Sequence, residues 1–86
     1  MKYNTIKKIY KLTINNKNFV LNSDKVGCFF CKNIFSSKEI VNYVDDGTTA
    51  ICPKCDIDSI VCDSIADVNE PMLNALHTVY FKGKNV

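Results

Sequence analysis

The hydrophobic pattern of the first 25 residues predicts two short helices. A helix over residues 1–13 is favoured by an apolar stripe at helical spacing, Ile6, Ile9, Tyr10 and Thr13. Alternation of apolar and polar residues over 10–14 would instead suit a strand. A second helix is expected with Asn15 as its N-cap, because Ile14 and Phe19 then have the spacing of a hydrophobic staple. A hairpin turning at Asn15-Asn16 is the alternative for this segment.

The middle of the chain predicts a third helix. Ser36 followed by Glu39 is a capping box, which indicates a helix start at Ser36. The apolar side of this helix would consist of Ile40, Val41 and Val44. Asp45-Asp46-Gly47 should end the helix and turn the chain, so we interpret the two aspartates as turn residues rather than as a catalytic pair.

Two strands and a last helix are predicted beyond this turn. Residues 48–51 and 57–62 are typical of strands, and we expect them to pair with each other. A C-terminal helix is predicted over residues 69–82, with Asn69 as its N-cap and Gly83 at its end. One face of this helix would carry Leu73, Leu76, His77 and Tyr80.

Four of the five cysteines form two C-x-x-C pairs with twenty residues between them. The predicted metal ligands are Cys28, Cys31, Cys52 and Cys55, since this spacing is typical of a four-thiolate zinc site. Gly27 is expected to let the backbone turn sharply into the first pair. All four tetrahedral positions of Zn²⁺ would be filled, which predicts a structural rather than a catalytic metal.

Three other uses of these cysteines are less well supported. Two disulfides would need an oxidising compartment and would leave an odd cysteine, Cys62. A thioredoxin-type dithiol needs only one pair, in a larger fold, and the common iron–sulfur motifs place three cysteines close together. Cys62 completes no pair and is expected to be a small buried residue.

Size and sequence pattern together predict a small α+β protein. A chain of 86 residues allows one domain, and chains this short bury only about 60–65% of their unfolded surface. Structural zinc can add on the order of 10 kcal/mol of folding free energy. We therefore expect one domain over 1–86, a zinc ribbon at 26–62 with two cysteine knuckles and a short antiparallel sheet, flanked by short helices. No apolar run near the amino terminus could serve as a signal or membrane span, so a cytoplasmic location is expected.

The charges are unevenly distributed along the chain. Residues 1–25 contain six lysines and one aspartate, a net charge of +5. Residues 26–70 contain three lysines and eight acidic residues, a net charge of −5, and four thiolates around Zn²⁺ would make this part more negative. The acidic part would repel a nucleic-acid backbone, which only the basic N-terminal segment could attract.

The segment from Gly27 to Val61 carries a more specific pattern than two cysteine pairs. It resembles a family of short, uncharacterised bacterial cytoplasmic proteins with the pattern C-G-C-F-x-C, F-x-x-x-E-I and W-x-D-x-G-x-T-A-x-C-P-x-C-G-I-D-S-V-I. The matching residues are Gly27, Cys28, Phe29, Cys31, Phe35, Glu39, Ile40, Asp45, Gly47, Thr49, Ala50, Cys52, Pro53, Cys55, Ile57, Asp58, Ser59 and Ile60. The similarity extends to Ile14-Asn15-Asn16, Leu76-His77 and Tyr80-Phe81, so it covers most of the chain.

Three positions depart from that pattern. Val26 stands where the family often has cysteine, Tyr43 where it usually has tryptophan, and Asp56 where it usually has glycine. Aspartate tolerates a left-handed backbone better than most residues, so the second knuckle can still form. The resemblance implies a zinc ribbon with helices and does not imply an activity.

Two functional hypotheses follow. The first is a protein-binding module, such as an adaptor, inhibitor or immunity-type protein, with an acidic surface that attracts a basic partner. Its candidate partner-binding residues are Phe30, Asp45, Asp46, Asp58 and Asp63. The alternative is nucleic-acid binding through the lysines of residues 2–25, with Phe29 or Phe30 stacking on bases.

An enzyme is not expected from this sequence. A zinc deaminase needs an H-x-E motif, which the chain lacks, and Pro53 lies inside its cysteine pair rather than before it. Zinc hydrolases need an open metal position, usually with histidine ligands, whereas His77 is the single histidine and is expected to be a packed or surface residue. Neither a small-molecule substrate nor a membrane partner is expected.

Overall fold

The computed structural model of this chain describes residues 3–81. Its helices are α1 (Tyr3–Lys11), α2 (Lys17–Leu21) and α3 (Glu70–Tyr80), and a 3₁₀ turn covers Ser37–Glu39. Its strands are β1 (Lys25–Cys28), β2 (Ile34–Ser36), β3 (Tyr43–Val44), β4 (Thr49–Ala50) and β5 (Ile60–Cys62). The protein is thus a small α+β structure with short antiparallel sheets and helices, as the sequence predicts.

The central layer is a three-stranded antiparallel sheet in the order β2-β1-β5, and β3 and β4 form a separate hairpin. Side chains alternate between the two faces of β1 and β5, as the pleat of a strand requires. Val26, Cys28, Ile60 and Cys62 join one hydrophobic cluster, with α2 and the hairpin. Val61 joins a second cluster, formed mainly by α1 and α3. The sheet therefore lies between two apolar layers.

The two outer helices have the predicted buried faces. In α1, Ile6 and Ile9 are buried, and the helix packs against α3. In α3, Leu73 and Leu76 are fully buried. The backbone N–H of Met72 donates to Oδ1 of Asn69 over 2.9 Å, which confirms Asn69 as the N-cap. The predicted helix end at Gly83 lies outside the described residues.

The prediction for the start of α2 was wrong by one residue. The helix begins at Lys17, so its N-cap is Asn16 rather than Asn15. Ile14 is 50% exposed and Phe19 is 36% exposed, so these two residues do not form a buried staple. The alternative hairpin is wrong too. Asn16 itself is fully buried. Its side chain bonds to backbone groups of the core rather than to its own helix.

The helix predicted from Ser36 is limited to one 3₁₀ turn. The hydroxyl of Ser36 accepts a hydrogen bond from the backbone N–H of Lys38, as an N-cap does, but the chain is extended again at Ile40. Ile40 is buried while Val41 is 72% exposed, so the predicted apolar face does not exist. The segment instead continues into β3.

The residues after β3 form a hairpin turn rather than a helix end. Asp45, Asp46 and Gly47 all have positive φ angles, of 55°, 60° and 84°. Aspartate and glycine tolerate this region better than most residues, which explains why this tripeptide turns the chain from β3 into β4. In the hairpin, Tyr43 pairs with Ala50 and Val44 with Thr49.

The strand before Cys52 does not pair with the strand after Cys55, contrary to prediction. β5 instead pairs with β1, with Gly27 opposite Val61. The side chain of Asn16 connects the two segments that were expected to pair. Its Nδ2 donates to the carbonyl of Ile60 over 3.0 Å, and its Oδ1 accepts from the N–H of Ala50 over 2.9 Å. A buried amide thus replaces the predicted strand pairing.

Gly27 has a different role from the predicted turn. It lies within β1, and a Cβ atom there would come within 2.7 Å of Cγ1 of Val68 and 3.1 Å of Cδ1 of Leu73. The absence of a side chain at this position therefore lets α3 and the segment before it lie directly on the sheet.

Candidate metal centre

The first knuckle follows directly from β1. After Cys31, Lys32 adopts a positive φ of 65°, and its N–H donates to the carbonyl of Cys28 over 2.7 Å. The N–H of Cys28 donates to the carbonyl of Asn33 over 3.0 Å, where β2 is about to begin. These bonds fold residues 28–33 into a tight loop at the end of the β1–β2 hairpin.

The second knuckle repeats this backbone arrangement. Asp56 follows Cys55 with a positive φ of 64°, and its N–H donates to the carbonyl of Cys52 over 2.9 Å. The N–H of Cys52 donates to the carbonyl of Ile57 over 3.0 Å. Each pair of cysteines is therefore positioned by the same two hydrogen bonds and the same left-handed residue.

The two knuckles bring the four predicted ligands together. Their sulfur atoms all lie within 4.8 Å of one another. Sγ of Cys28 is 3.6 Å from Sγ of Cys55, and Sγ of Cys31 is 3.7 Å from Sγ of Cys52. These distances are far longer than the roughly 2.05 Å of a disulfide bond, and all four thiols are free. The cluster can hold a metal ion.

Hydrogen-bond donors surround the sulfurs. Nδ2 of Asn33 donates to Cys31 over 3.3 Å, and the backbone N–H of Lys54 donates to Cys52 over 3.4 Å. The hydroxyl of Ser59 lies 3.1 Å from the sulfur of Cys28 and can donate when that sulfur is a thiolate. Such donors favour the ionised ligand and fix its orientation around a metal.

The acidities of the thiols differ within the cluster. Burial raises the pKa of Cys52 to about 11 and holds that of Cys55 far above its usual range. Burial also opposes ionisation of Cys31, but hydrogen bonds from the backbone and side chain of Asn33 outweigh it, and the pKa of Cys31 is lowered. The sulfurs would repel one another as thiolates, so a bound cation is needed before all four can ionise.

The fifth cysteine is separate from this cluster. Cys62 is fully buried on β5, which confirms the expected small buried residue. Burial raises the pKa of its thiol to about 11, although a hydrogen bond from Ser23 acts in the opposite direction. Cys62 therefore remains a neutral thiol at physiological pH.

The two phenylalanines between the first ligands have different environments. Phe29 is buried in the core between α1 and α3, whereas Phe30 is 38% exposed. Nδ1 of His77 lies 3.1 Å from the carbonyl of Phe29, so the histidine is packed against this knuckle and is not among the clustered ligands. Of the two rings, Phe30 is therefore the one that a partner can reach.

The predicted acidic partner residues lie on three different loops. Asp45 and Asp46 are exposed in the turn between β3 and β4, and Asp58 is exposed after the second knuckle. Asp63 lies beyond β5 and is half-buried. Its carboxylate accepts hydrogen bonds from the N–H groups of Asp24 and Lys25, over 3.2 and 3.0 Å, and thereby holds the start of β1.

A groove that the sequence did not predict opens between α2 and the chain around the 3₁₀ turn. It has a volume of about 520 Å³. Its lining residues are Val20, Leu21, Ser23, Asp24, Ser36, Ser37, Lys38, Ile40 and Tyr43. The two walls are distant in sequence, so no local pattern could have indicated it. Among the aliphatic residues that line the groove, Leu21 is the most exposed to solvent, at 67%.

No family model matches this sequence, and no curated protein or solved structure is significantly similar to it. The site therefore has to be interpreted from its own geometry. Within residues 3–81, no helix is both long and apolar enough to cross a membrane.

Proposed function

We propose that this chain is a zinc-ribbon protein in which four cysteines hold one structural Zn²⁺. In a regular tetrahedron with Zn–S bonds of about 2.3 Å, neighbouring sulfurs are about 3.8 Å apart. The distances of 3.6 and 3.7 Å between sulfurs of opposite knuckles are close to this value. The pattern from Gly27 to Val61 also supports placing the chain with the short bacterial proteins that it resembles.

A structural role is proposed because the four thiolates would complete the coordination sphere. No position would remain for a water or a substrate, so the metal would have no catalytic function. The ligands would join the β1–β2 hairpin to the loop that follows β4. A reducing, cytoplasmic environment would keep the thiols available for the metal.

Metal analysis tests the first part of this proposal. Native mass spectrometry of the freshly purified protein is expected to show one zinc ion per chain, and Co²⁺ reconstitution should give the absorption of a tetrahedral thiolate site. A single iron ion accepts the same four thiolates, so iron in place of zinc would correct the metal while leaving the site in place. A chain that binds no metal would reject the proposal.

We further propose that the folded chain acts as a protein-binding module, as an adaptor, inhibitor or immunity-type protein. The main support is the groove between α2 and the 3₁₀ turn. Leu21 presents an exposed apolar side chain at the groove, and Ile40 and Tyr43 form its opposite wall. Asp24 and Lys38 add one charge of each sign. Three serines, Ser23, Ser36 and Ser37, also line the groove, so it offers both apolar contacts and hydrogen-bonding groups to a partner.

The acidic turn lies close to the groove along the chain. Tyr43 lines the groove and begins β3, and Asp45 and Asp46 follow β3 directly. Exposed carboxylates raise the association rate with a basic partner. Asp63 is better explained by its bonds to the backbone of β1, so we do not include it in the proposed binding surface.

An affinity capture with matched variants tests this binding role. The zinc-loaded protein is incubated with nuclease-treated native lysate, and captured proteins are quantified by mass spectrometry. We expect one protein near stoichiometric amount, lost with Leu21→Ser and reduced with Asp45→Lys/Asp46→Lys. Val79→Ser likewise replaces an exposed apolar side chain by serine, but on α3, and should leave the capture unchanged. An identical set of proteins with all variants would reject the groove as the binding site.

A further inference from the structure

Six aromatic rings form a continuous cluster beside the first knuckle. They are Tyr10, Phe29, Phe30, His77, Tyr80 and Phe81. Tyr10 of α1 stacks on Tyr80 of α3 with ring centroids 3.7 Å apart. Phe81 lies 5.3 Å from Phe29 and 4.9 Å from Phe30. The cluster thus connects both outer helices to the loop that carries Cys28 and Cys31.

Most of these rings remain accessible to solvent. Only Phe29 is buried, and Phe30 is exposed, while the other four rings are half-buried. Tyr10, Tyr80 and Phe81 pack against the cluster of α1 and α3 with part of each ring left in solvent. Exposed aromatic surface is common where a protein contacts a partner. We call the five accessible rings the aromatic surface.

The segments that supply the rings carry lysines and no acidic residue. All nine acidic residues of the chain lie between residues 24 and 70. The three segments that supply the rings contain none of them, and these segments are Tyr3–Lys11, residues 28–33 and residues 71–81. They contain four lysines, which are Lys7, Lys8, Lys11 and Lys32. Glu70, at the start of α3, lies about 10 Å along the helix axis from His77.

We infer that the aromatic surface binds single-stranded nucleic acid. Accessible rings can stack on unpaired bases without sequence preference, and flanking lysines can neutralise phosphates. An anionic membrane or an acidic protein would complement the lysines but would not require several adjacent rings. The acidic residues, which would repel a nucleic acid, lie on other segments of the chain. This inference does not depend on the groove or on its proposed protein partner.

Binding is measured by fluorescence anisotropy with labelled 12-nucleotide oligo(U) and oligo(dT) and the zinc-loaded full chain. Three or four phosphate contacts predict that the affinity falls with salt, with a log–log slope of about −2 to −3. Phe30→Ala should weaken binding about 5- to 100-fold, because one stacking ring is lost. Leu21→Ala is the matched control, since Leu21 is more exposed than Phe30 but lies at the groove.

Two further comparisons separate stacking and charge from changes in folding. Phe30→Leu keeps an apolar side chain and should bind as weakly as Phe30→Ala, whereas Phe30→Trp should bind at least as well as the wild type. Lys8→Gln/Lys11→Gln should weaken binding and reduce the salt slope. Lys25→Gln/Lys38→Gln makes the same change of net charge on β1 and at the groove, and should have little effect.

Several outcomes would overturn the inference. These are no binding of either oligonucleotide at low salt, equal affinities of the Phe30→Leu and Phe30→Trp variants, and equal effects of the two double lysine variants. Binding to phosphatidylglycerol vesicles without binding to oligonucleotides would assign the surface to a membrane instead. Zinc stoichiometry and an amide NMR spectrum are recorded for every variant, so that a loss of affinity can be separated from a loss of folding.

Discussion

Asn16 is a fully buried polar residue that joins three elements of the fold. Its side-chain amide satisfies the N–H of Ala50 and the carbonyl of Ile60, and all three groups are buried. An unpaired buried backbone group costs about 1–3 kcal/mol, so this one side chain removes two such costs. It also attaches the start of α2 to both β4 and β5.

Replacing Asn16 by alanine should therefore destabilise the protein strongly. We expect Asn16→Ala to lower the free energy of unfolding by about 3 kcal/mol, since both backbone groups lose their partner. Asn18→Ala, an exposed position in the same helix, should change it by less than about 0.5 kcal/mol. Urea titrations with equal excess zinc measure both values. Equal effects of the two substitutions would contradict the role of the amide.

Asp56 holds a backbone conformation that glycine adopts at lower cost. Its φ of 64° lies in the left-handed region, in which a side chain is unfavourable. We expect Asp56→Gly to raise the free energy of unfolding by about 0.5 kcal/mol. Asp58→Gly makes the same chemical change in the same loop at a residue without a positive φ, and should lower it by about 0.5–1 kcal/mol. Thermal unfolding of the two variants gives the comparison, and the same sign for both would contradict the prediction.

Cys62 should make stability depend on alkaline pH. Its pKa is raised from 9.0 to about 11 in the folded protein, mainly by burial. Above pH 9 the unfolded chain releases this proton while the folded chain retains it, so stability is lost as the pH rises from about 9 to 11. The difference in unfolding free energy between wild type and Cys62→Ala should be constant below pH 8 and should then shift in favour of the variant. A constant difference up to pH 11 would contradict the raised pKa.

At the scale of the elements, close packing of α3 on the sheet depends on Gly27. Val68 and Leu73 occupy the space that a side chain at this position would need. We expect Gly27→Ala to lower the free energy of unfolding by about 1–3 kcal/mol, because overpacking moves the helix away from β1.

A second substitution should partly restore this stability. In Gly27→Ala/Val68→Ala, the removed methyl groups leave room for the new one, so the double variant should be more stable than the sum of the single effects. A double-mutant cycle by urea unfolding measures the coupling. Strict additivity would show that Val68 does not limit the space at Gly27.

The sequence predicted those elements whose signals are local. Asn69 caps α3, and Ile6 and Ile9 of α1 are buried as predicted, because a cap and a helical face depend on residues within one or two turns. The two C-x-x-C motifs likewise predicted which cysteines would lie together, since each motif forms its own turn. The four cysteines that cluster could therefore be predicted from the sequence without knowledge of the fold.

The elements that depend on distant contacts were not predictable in this way. The cap at Ser36 starts only one turn, because β3 gains a pairing partner in β4 that a longer helix would exclude. β5 pairs with β1, a strand more than thirty residues away in sequence, and nothing in the neighbourhood of Asn16 indicates its bond to Ile60. The groove was missed for the same reason, since its walls are separate segments.

At the scale of the whole molecule, the candidate metal centre lies at one of the two hydrophobic clusters and would reinforce it. The four sulfurs border only the cluster formed with α2 and the β3–β4 hairpin, while α1 and α3 pack on the other side of the sheet. Structural zinc contributes on the order of 10 kcal/mol, comparable with the net stability of a typical domain. Folding of a chain of 86 residues should therefore depend on the metal.

Removing the metal is expected to unfold the chain. A strong chelator with a thiol reductant at pH 7 should abolish the dispersion of the amide NMR spectrum, and one equivalent of Zn²⁺ should restore it. Acidification should have the same effect as chelation, because protons compete with the metal for the thiolates. Cys62→Ala should respond like the wild type, whereas Cys55→Ala should not refold with zinc. A dispersed spectrum after complete removal of the metal would contradict this prediction.

The four sulfurs differ in their exposure to solvent. Cys28 and Cys52, the first residue of each knuckle, are completely buried, while Cys31 and Cys55 are partly exposed. An incoming ligand can therefore approach the centre from one side only, by displacing the outer pair. Exchange of a bound ion would therefore begin at Cys31 and Cys55, while Cys28 and Cys52 still hold it. Complete loss of zinc would still unfold the chain, so such an exchange would have to pass the ion directly from one ligand set to another.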